Sequence, residues 1–410
     1  DETEHTMLLE ESTVEATLNR SLDSGNISEY LDIQQLGQGG MGEVRKVQDR
    51  QLNRMVALKT LHQKWQDDPV ALIRFLKEAQ LTSQLQHPGI VPVFEFGHKD
   101  DGSPYFTMPE IKGRTFGSLL KEMRENQEQQ SFSRQRLNDF HQVCKTIAYA
   151  HARGVIHCDI KPNNIMLGEF GEVYILDWGL ALVTEPLEGF KPIQILHIRD
   201  KDIIGTPQYM SPEQIAGQIS RISFPSDVYS LGILLYQILM NKKPFEGNPD
   251  EILELIKAGK KPDIPRNTGI PSALIKIYEK ATEYKAKERY EHAGQMAIEL
   301  ENWLIGAQQE ERANELLQMA KAKQPEIEQL QLQARVLTTK STELKQHIKA
   351  WSSEEEKLQL WAMQDEAISL ENQAKQAELD REQLLQGALL YSPNSVNAHR
   401  ELSLYYQRLH

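Results

Sequence analysis

The sequence predicts an α+β chain with a small lobe of antiparallel strands plus one helix, a large mainly helical lobe, and then an all-helical arm. Three observations carry this. A glycine-rich turn at 36–44 lies between two strand-like runs. Two polar segments, 157–164 and 177–179, flank short strand-like runs inside an otherwise helical stretch. Beyond Gly306 glycine almost vanishes and Glu, Gln, Lys, Leu and Ala dominate, which is the composition of long helices. The expected divisions are a flexible acidic extension over 1–29, a two-lobed domain over 30–305 (small lobe 30–108, large lobe 112–305), a helical hairpin or coiled coil over 306–388, and the start of a helical repeat over 389–410.

The extension is polar and acidic, with one apolar patch at Met7, Leu8 and Leu9, too little to bury a core. Gly37, Gly39 and Gly42 then form G-x-G-x-x-G, followed by Val44. Glycines let a backbone approach phosphate oxygens with no side chain in the way. A dinucleotide-binding turn shares the motif but opens a helix; here a strand-like run, Val44–Val47, follows instead. Val56-Ala57-Leu58-Lys59 reads as a strand carrying a lysine, and Leu72–Ala79 as a helix carrying Glu78. A lysine paired to a helix glutamate would hold the α- and β-phosphates of a nucleotide.

In the large lobe, residues 131–153 read as a helix closing on Gly154. Then comes His157-Cys158-Asp159-Ile160-Lys161-Pro162-Asn163-Asn164, and 13 residues after Asn164 stands Asp177-Trp178-Gly179. This set contains what phosphoryl transfer requires: a base for the nucleophile (Asp159), a cation for the moving phosphate (Lys161) and two hard-oxygen ligands for Mg²⁺ (Asn164 and Asp177). The strand pair 164–167 and 172–176 flanks that site. The apolar run Val228–Met240 is too short for a membrane span of about 20 residues and reads as a buried helix. His87, His141 and His151 read as turn or surface histidines rather than ligands.

In the arm, Leu330, Leu337, Leu344, Trp351 and Leu358 recur every seven residues. The companion line of Ala334, Ser341, Ile348 and Glu355 is poor, which argues against a long uniform dimeric coil. Ser352-Ser353-Glu354-Glu355 resembles a capping box that restarts a helix. An antiparallel hairpin of about 307–351 and 353–388 is therefore the first choice, and a homodimeric coil the second. The segments Gly387–Asn394 and Ala398–Leu409 resemble the junction between two tetratricopeptide-type helices.

From about residue 30 to 305 these motifs, in this order, resemble a bacterial Ser/Thr protein kinase of the eukaryotic-like (Hanks) type, closest in wording to chlamydial and planctomycete kinases. The resemblance implies the bilobal protein-kinase fold and ATP with Mg²⁺, Mn²⁺ being a substitute ion. It implies that Lys59 binds phosphates and pairs with Glu78, and that Val44, Ala57 and Met166 sandwich adenine. Met108 would be the gatekeeper. In the Pro109-Glu110-Ile111 hinge the Ile111 N–H would donate to adenine, so the missing N–H of Pro109 is no loss. Thr206 would touch Lys161 and Asp159, Glu213 would pair with Arg289, and Asp227 would anchor the catalytic loop. Lys161, two residues after the Asp, is the Ser/Thr-kinase choice.

Two departures from the family pattern stand out. Cys158 replaces the Arg that usually pairs with a phosphate on the activation loop, and a thiol cannot do so. Between Gly179 and Gly205, Thr184 is the only hydroxyl. Together these predict activity without activation-loop phosphorylation. Trp178 replaces Phe, and its larger ring is expected to pack beneath the Glu78 helix.

The net charge of −13 argues against general nucleic-acid binding and favours basic partners or basic substrate segments. Two cysteines in 410 residues make no disulfide framework and suit a reducing compartment, here the bacterial cytoplasm. No signal for export into a host is visible, and no membrane partner is expected for this segment. The expected partners are a protein Ser/Thr substrate and a protein bound through the helical arm. The alternative to an active kinase is a pseudokinase scaffold. Because Lys59, Asp159, Asn164 and Asp177 are all present, the active enzyme is the reading preferred.

Overall fold

The computed structural model describes residues 30–39, 42–126, 133–184, 205–265, 268–349, 351 and 353–409. The extension at 1–29 and residues 185–204, most of the stretch between Gly179 and Gly205, therefore lie outside the described residues. Two compact units divide at Asn302 and Trp303.

The first unit opens with β1 (Tyr30–Gln38), β2 (Gly42–Asp49), β3 (Arg54–Leu61), helix α1 (Pro69–Gln84), β4 (Glu95–His98) and β5 (Pro104–Pro109). The strands form one sheet in the order β1-β2-β3-β5-β4, antiparallel throughout. Helix α1 starts where it does because Asp68 caps it, accepting from Val70 N at 2.9 Å, and because Pro69 fits the first turn. Its apolar face, with Ala71, Phe75 and Ala79, packs on Leu61 and Phe106 of the sheet. That packing fixes which way Glu78 faces.

The larger part has β6 (Gly113–Thr115), α2 (Phe116–Glu125), α3 (Arg134–His151), β7 (Val155–Ile156), β8 (Ile165–Gly168), β9 (Val173–Ile175) and β10 (Leu182–Val183), then α4 (Pro212–Ile215), α5 (Phe224–Met240), α6 (Pro249–Lys257) and α7 (Ser272–Ala281). Strands β6, β8 and β9 make a three-stranded sheet, and β7 pairs with β10. Helix α3 ends before Gly154, which takes φ +70°, a left-handed conformation that suits glycine. Helix α5 is the axis of this part, buried continuously from Ser226 to Leu239. Its polar residues therefore need partners inside the protein, and they hold the functional loops. No helix among the described residues is long and apolar enough to cross a membrane.

Helix α8 (Ala293–His347) begins in the first unit, and the division falls within it. The second unit continues with α9 (Glu354–Tyr391) and α10 (Val396–Leu409). The cap of α9 is Ser353, boxed with Glu356 rather than with the earlier glutamates. The helices α8 and α9 each carry a line of buried side chains, mostly alanines, repeating every seven residues. One line is Ala313, Ala320, Ile327, Ala334 and Ser341; the other is Leu360, Ala367, Ala374, Arg381 and Ala388, and all ten are buried. The leucine line read from the sequence is thus the flank of the seam. Leu330, Leu337 and Leu344 are half-buried, while Trp351 and Leu358 are 81% and 56% exposed. Cross-links such as Lys323 to Asp380 at 3.1 Å border the contact. Helix α10 packs on α9 through Ala398, and Arg381 pairs with Glu401 at 3.0 Å.

Candidate active site

The site is built from both lobes of the first unit. In the glycine-rich turn, Gly39 N donates to Gly42 O at 2.8 Å. A Cβ on Gly42 would lie 2.2 Å from Thr60 O, so only glycine fits against β3 there. A Cβ on Gly37 would meet nothing within 4 Å. Val44 pairs with Lys59 and Lys46 with Ala57, so Val44, Ala57 and Lys59 share one face of the sheet. Ala57 also pairs with Met108 and Val56 with Pro109, which places the start of the hinge beside that face. Glu110 is tied to Lys46 at 2.8 Å. Met166 lies on β8, opposite Thr115 and Tyr174. A cavity of about 740 Å³ lines the other side of Pro109, Glu110 and Ile111; none of Lys59, Asp159 or Asp177 reaches it.

Lys59 Nζ bonds both carboxylate oxygens of Glu78, at 2.5 and 2.7 Å. Burial alone would lower the Lys59 ammonium, but Glu78 and Asp177 outweigh it and hold the group above its usual range. Burial also pushes the Glu78 carboxyl up, a push that Lys59 opposes.

Asp159 gathers the other groups. Its Oδ2 accepts from Lys161 Nζ at 2.5 Å and from Asn164 Nδ2 at 3.1 Å. Its Oδ1 accepts from the Thr206 hydroxyl at 2.9 Å, and Lys161 Nζ donates to that same hydroxyl at 2.9 Å. Asn164 Nδ2 also donates to Asp159 O at 2.9 Å, which commits the amide nitrogen and leaves Asn164 Oδ1 as a free acceptor. Leu176 N donates to Asn164 O at 2.8 Å, so Asp177 follows directly beside Asn164. Asp177 takes φ 63°, a left-handed conformation uncommon outside glycine, and its side chain is exposed. A Cβ on Gly179 would lie 3.5 Å from Asp177 Oδ1 and 3.7 Å from Arg74 O, so the turn passes close under α1. Trp178 is buried beside it, its centroid 4.6 Å from that of His157.

These loops hang on α5. Asp227 accepts from His157 N at 2.7 Å, from Cys158 N at 2.9 Å and from His151 Nε2 at 2.9 Å. His151 is therefore neither a turn nor a surface residue: its side chain is 1% exposed, and its Nδ1 accepts from Ala293 N at 3.2 Å. His157 ties the loop to the end of β9, accepting from Asp159 N through Nδ1 and donating to Leu176 O through Nε2. Cys158 is packed among Ile156, Ile222 and the half-buried Leu180, Leu182 and Phe224, and burial pushes its thiol well up. Glu213 and Arg289 make a fork-to-fork pair at 2.8 and 3.0 Å. Burial works against the Glu213 carboxylate, yet Arg289 beside it holds the group below its usual range. Thr184 donates from both N and Oγ1 to Gly154 O, at 2.8 and 3.0 Å.

The lysine–glutamate pair, the Asp159 cluster and the Asp227 anchor come from segments scattered between Lys59 and Asp227, and the whole stretch matches one family. Residues 30–302 fit the family described as the protein kinase domain. The chain belongs to the protein kinase family. Similar kinases include the serine/threonine-protein kinase PknD of Chlamydia caviae, 36% identical over 295 residues, and that of Chlamydia abortus, 37% identical over 308. The PknD of Protochlamydia amoebophila is 34% identical over 299 residues. In each case 68% of this chain is matched, but only 30–31% of the relative, so the chain spans about a third of the length of these kinases.

Proposed function

We propose that the chain transfers the γ-phosphate of ATP to Ser or Thr hydroxyls of proteins. The observation that carries this reading is the convergence of Lys161, Asn164 and Thr206 on the Asp159 carboxylate. Asp159 would accept the proton as the acceptor oxygen bonds phosphorus and the bond to ADP breaks. Lys161 Nζ offsets charge on the moving phosphoryl group, and Thr206 seats the acceptor. Lys59, kept charged by Glu78, holds the α- and β-phosphates. Val44, Ala57 and Met166 would enclose adenine, with Met108 behind it and Ile111 N donating to it.

A kinase domain implies ATP and a divalent cation. The donors fit one: Asn164 Oδ1 and the Asp177 carboxylate are hard oxygens with no competing partner among the described residues. Among those residues no group of three or more His, Cys, Asp or Glu could hold a metal alone, so phosphate oxygens would complete the shell. Bound there, the ion would neutralise phosphate charge; Mg²⁺ suits these donors and Mn²⁺ is the substitute.

The packing of Cys158 in an apolar cluster supports the reading that it receives no loop phosphate. We infer that phosphorylation of Thr184 is not required, and that the helical arm serves regulation, docking of a protein partner, or dimerisation.

The test is radiolabelled γ-phosphate transfer with Mg²⁺, comparing the chain with its Asp159→Asn and Thr184→Ala forms. Transfer should vanish in the first and persist in the second. Transfer that survives in Asp159→Asn would remove Asp159 as the base. No transfer by the unaltered chain, with ATP binding intact, would favour the scaffold.

A further inference from the structure

A cavity of about 440 Å³ adjoins the Asp159 cluster, with walls from α2, the 206–209 turn, α5 and the start of α6. Lys161 and Thr206 line it, so whatever fills it is held against the proposed base. Its described lining carries three cations, Arg124, Lys161 and Lys243, and no carboxylate. In a chain with 59 acidic residues and a net charge of −13, that is a local inversion of charge.

Lys161 is matched by Asp159. The other two cations are not matched among the described residues. Lys243 is exposed and makes no ion pair there. Arg124 makes no side-chain hydrogen bond there, and its Nη1 is buried without an acceptor. The neutral groups lean the same way. Gln237 Oε1 is taken by the Tyr209 hydroxyl at 2.7 Å, so Gln237 has only N–H donors left to offer.

We propose that this groove selects acceptor segments bearing Asp or Glu near the phosphorylated Ser or Thr, with Arg124 and Lys243 reading the acid. This rests on the kinase reading above and names its substrate class. The Arg124 guanidinium can donate to a carboxylate from its nitrogens other than the buried Nη1, and exposed Lys243 adds attraction at longer range. A basic segment would set cation against cation with no carboxylate in the described lining to answer it. The overall acidity of the chain, which favours basic substrates, is thus overruled where the substrate sits.

The test uses the full chain with ATP and Mg²⁺ and three serine peptides that differ only in flanks of Asp/Glu, Ala or Lys/Arg. The acidic peptide should exceed the alanine peptide in kcat/KM by about tenfold, chiefly through KM, and the advantage should shrink with added salt. Arg124→Gln and Lys243→Glu should each lower the acidic-to-alanine ratio several-fold. Because the ratio is taken within one protein, a loss of folded material cancels out. Equal or better use of the basic peptide, or a ratio unmoved in both variants, would overturn the inference while leaving the kinase reading standing. No transfer to any of the three peptides would overturn the kinase reading and this inference with it.

Discussion

At the scale of single residues, Lys77 shows how position overrides type. Burial pushes its ammonium down to about 8 from an ordinary 10.5. Below pH 8 folded and unfolded chains both carry the charge, and the burial penalty is felt in full. Between pH 8 and 10.5 the folded chain has shed a proton that the unfolded chain keeps, so stability should rise with pH. Lys77→Met should flatten that rise and stabilise the protein at pH 7 by about 1–3 kcal/mol, read as Tm across a pH series. Glu213 has the opposite sense. Its carboxyl is depressed, so its contribution is present above the usual carboxylate range and is lost as acid protonates it, below about pH 4. Arg289→Leu should destabilise by about 3–5 kcal/mol at neutral pH, because it strands a buried charge; a change under 1 kcal/mol by denaturant titration would show that the pair is not holding the segment. Residues whose chemistry is local were legible in the sequence, as with Asp159 and Lys161, two positions apart. His151 was not: its role depends on Asp227 and Ala293, which are far from it along the chain. Arg124 and Lys243 were missed for the same reason.

At the scale of elements, the strands around the glycine turn were readable because turn residues and strand runs alternate there. The arm was readable only as helices. Two seven-residue lines interleave in it, and hydrophobicity favours the leucines, whereas the line that is buried is the one with the alanines. Replacing Ala334 by Leu should therefore overpack the seam and destabilise the second unit by about 1–3 kcal/mol, while Leu332→Ala, at a position 64% exposed, should change little. Pro325 lies inside α8, where it lacks the N–H of a helical hydrogen bond. Pro325→Ala should stabilise this helix by up to about 3 kcal/mol, followed by circular dichroism on heating. A loss of helix on that change would mean that Pro325 is needed for packing.

At the scale of the whole molecule, the two compact units predict separate responses to ligand. ATP with Mg²⁺ at about a hundredfold its Kd should stabilise the first unit by about 2.7 kcal/mol and leave the second where it was. Calorimetry should resolve this as one transition that moves and one that does not. A single transition moving as a whole would show the units to be one cooperative body. The charge balance teaches a related lesson. A net charge of −13 describes the molecule as other solutes meet it from afar, and it says nothing about the sign inside one groove.

The burial of Cys144 and Cys158 has a practical consequence. Both thiols are enclosed, and burial pushes each far above the range in which a thiolate forms at neutral pH. They are the only two cysteines in the chain, so the folded protein should stay silent toward maleimides and iodoacetamide. One cysteine introduced at an exposed arm position, such as Gln333 or Gln373, would then be the sole handle for a fluorophore or spin label, with no background to remove.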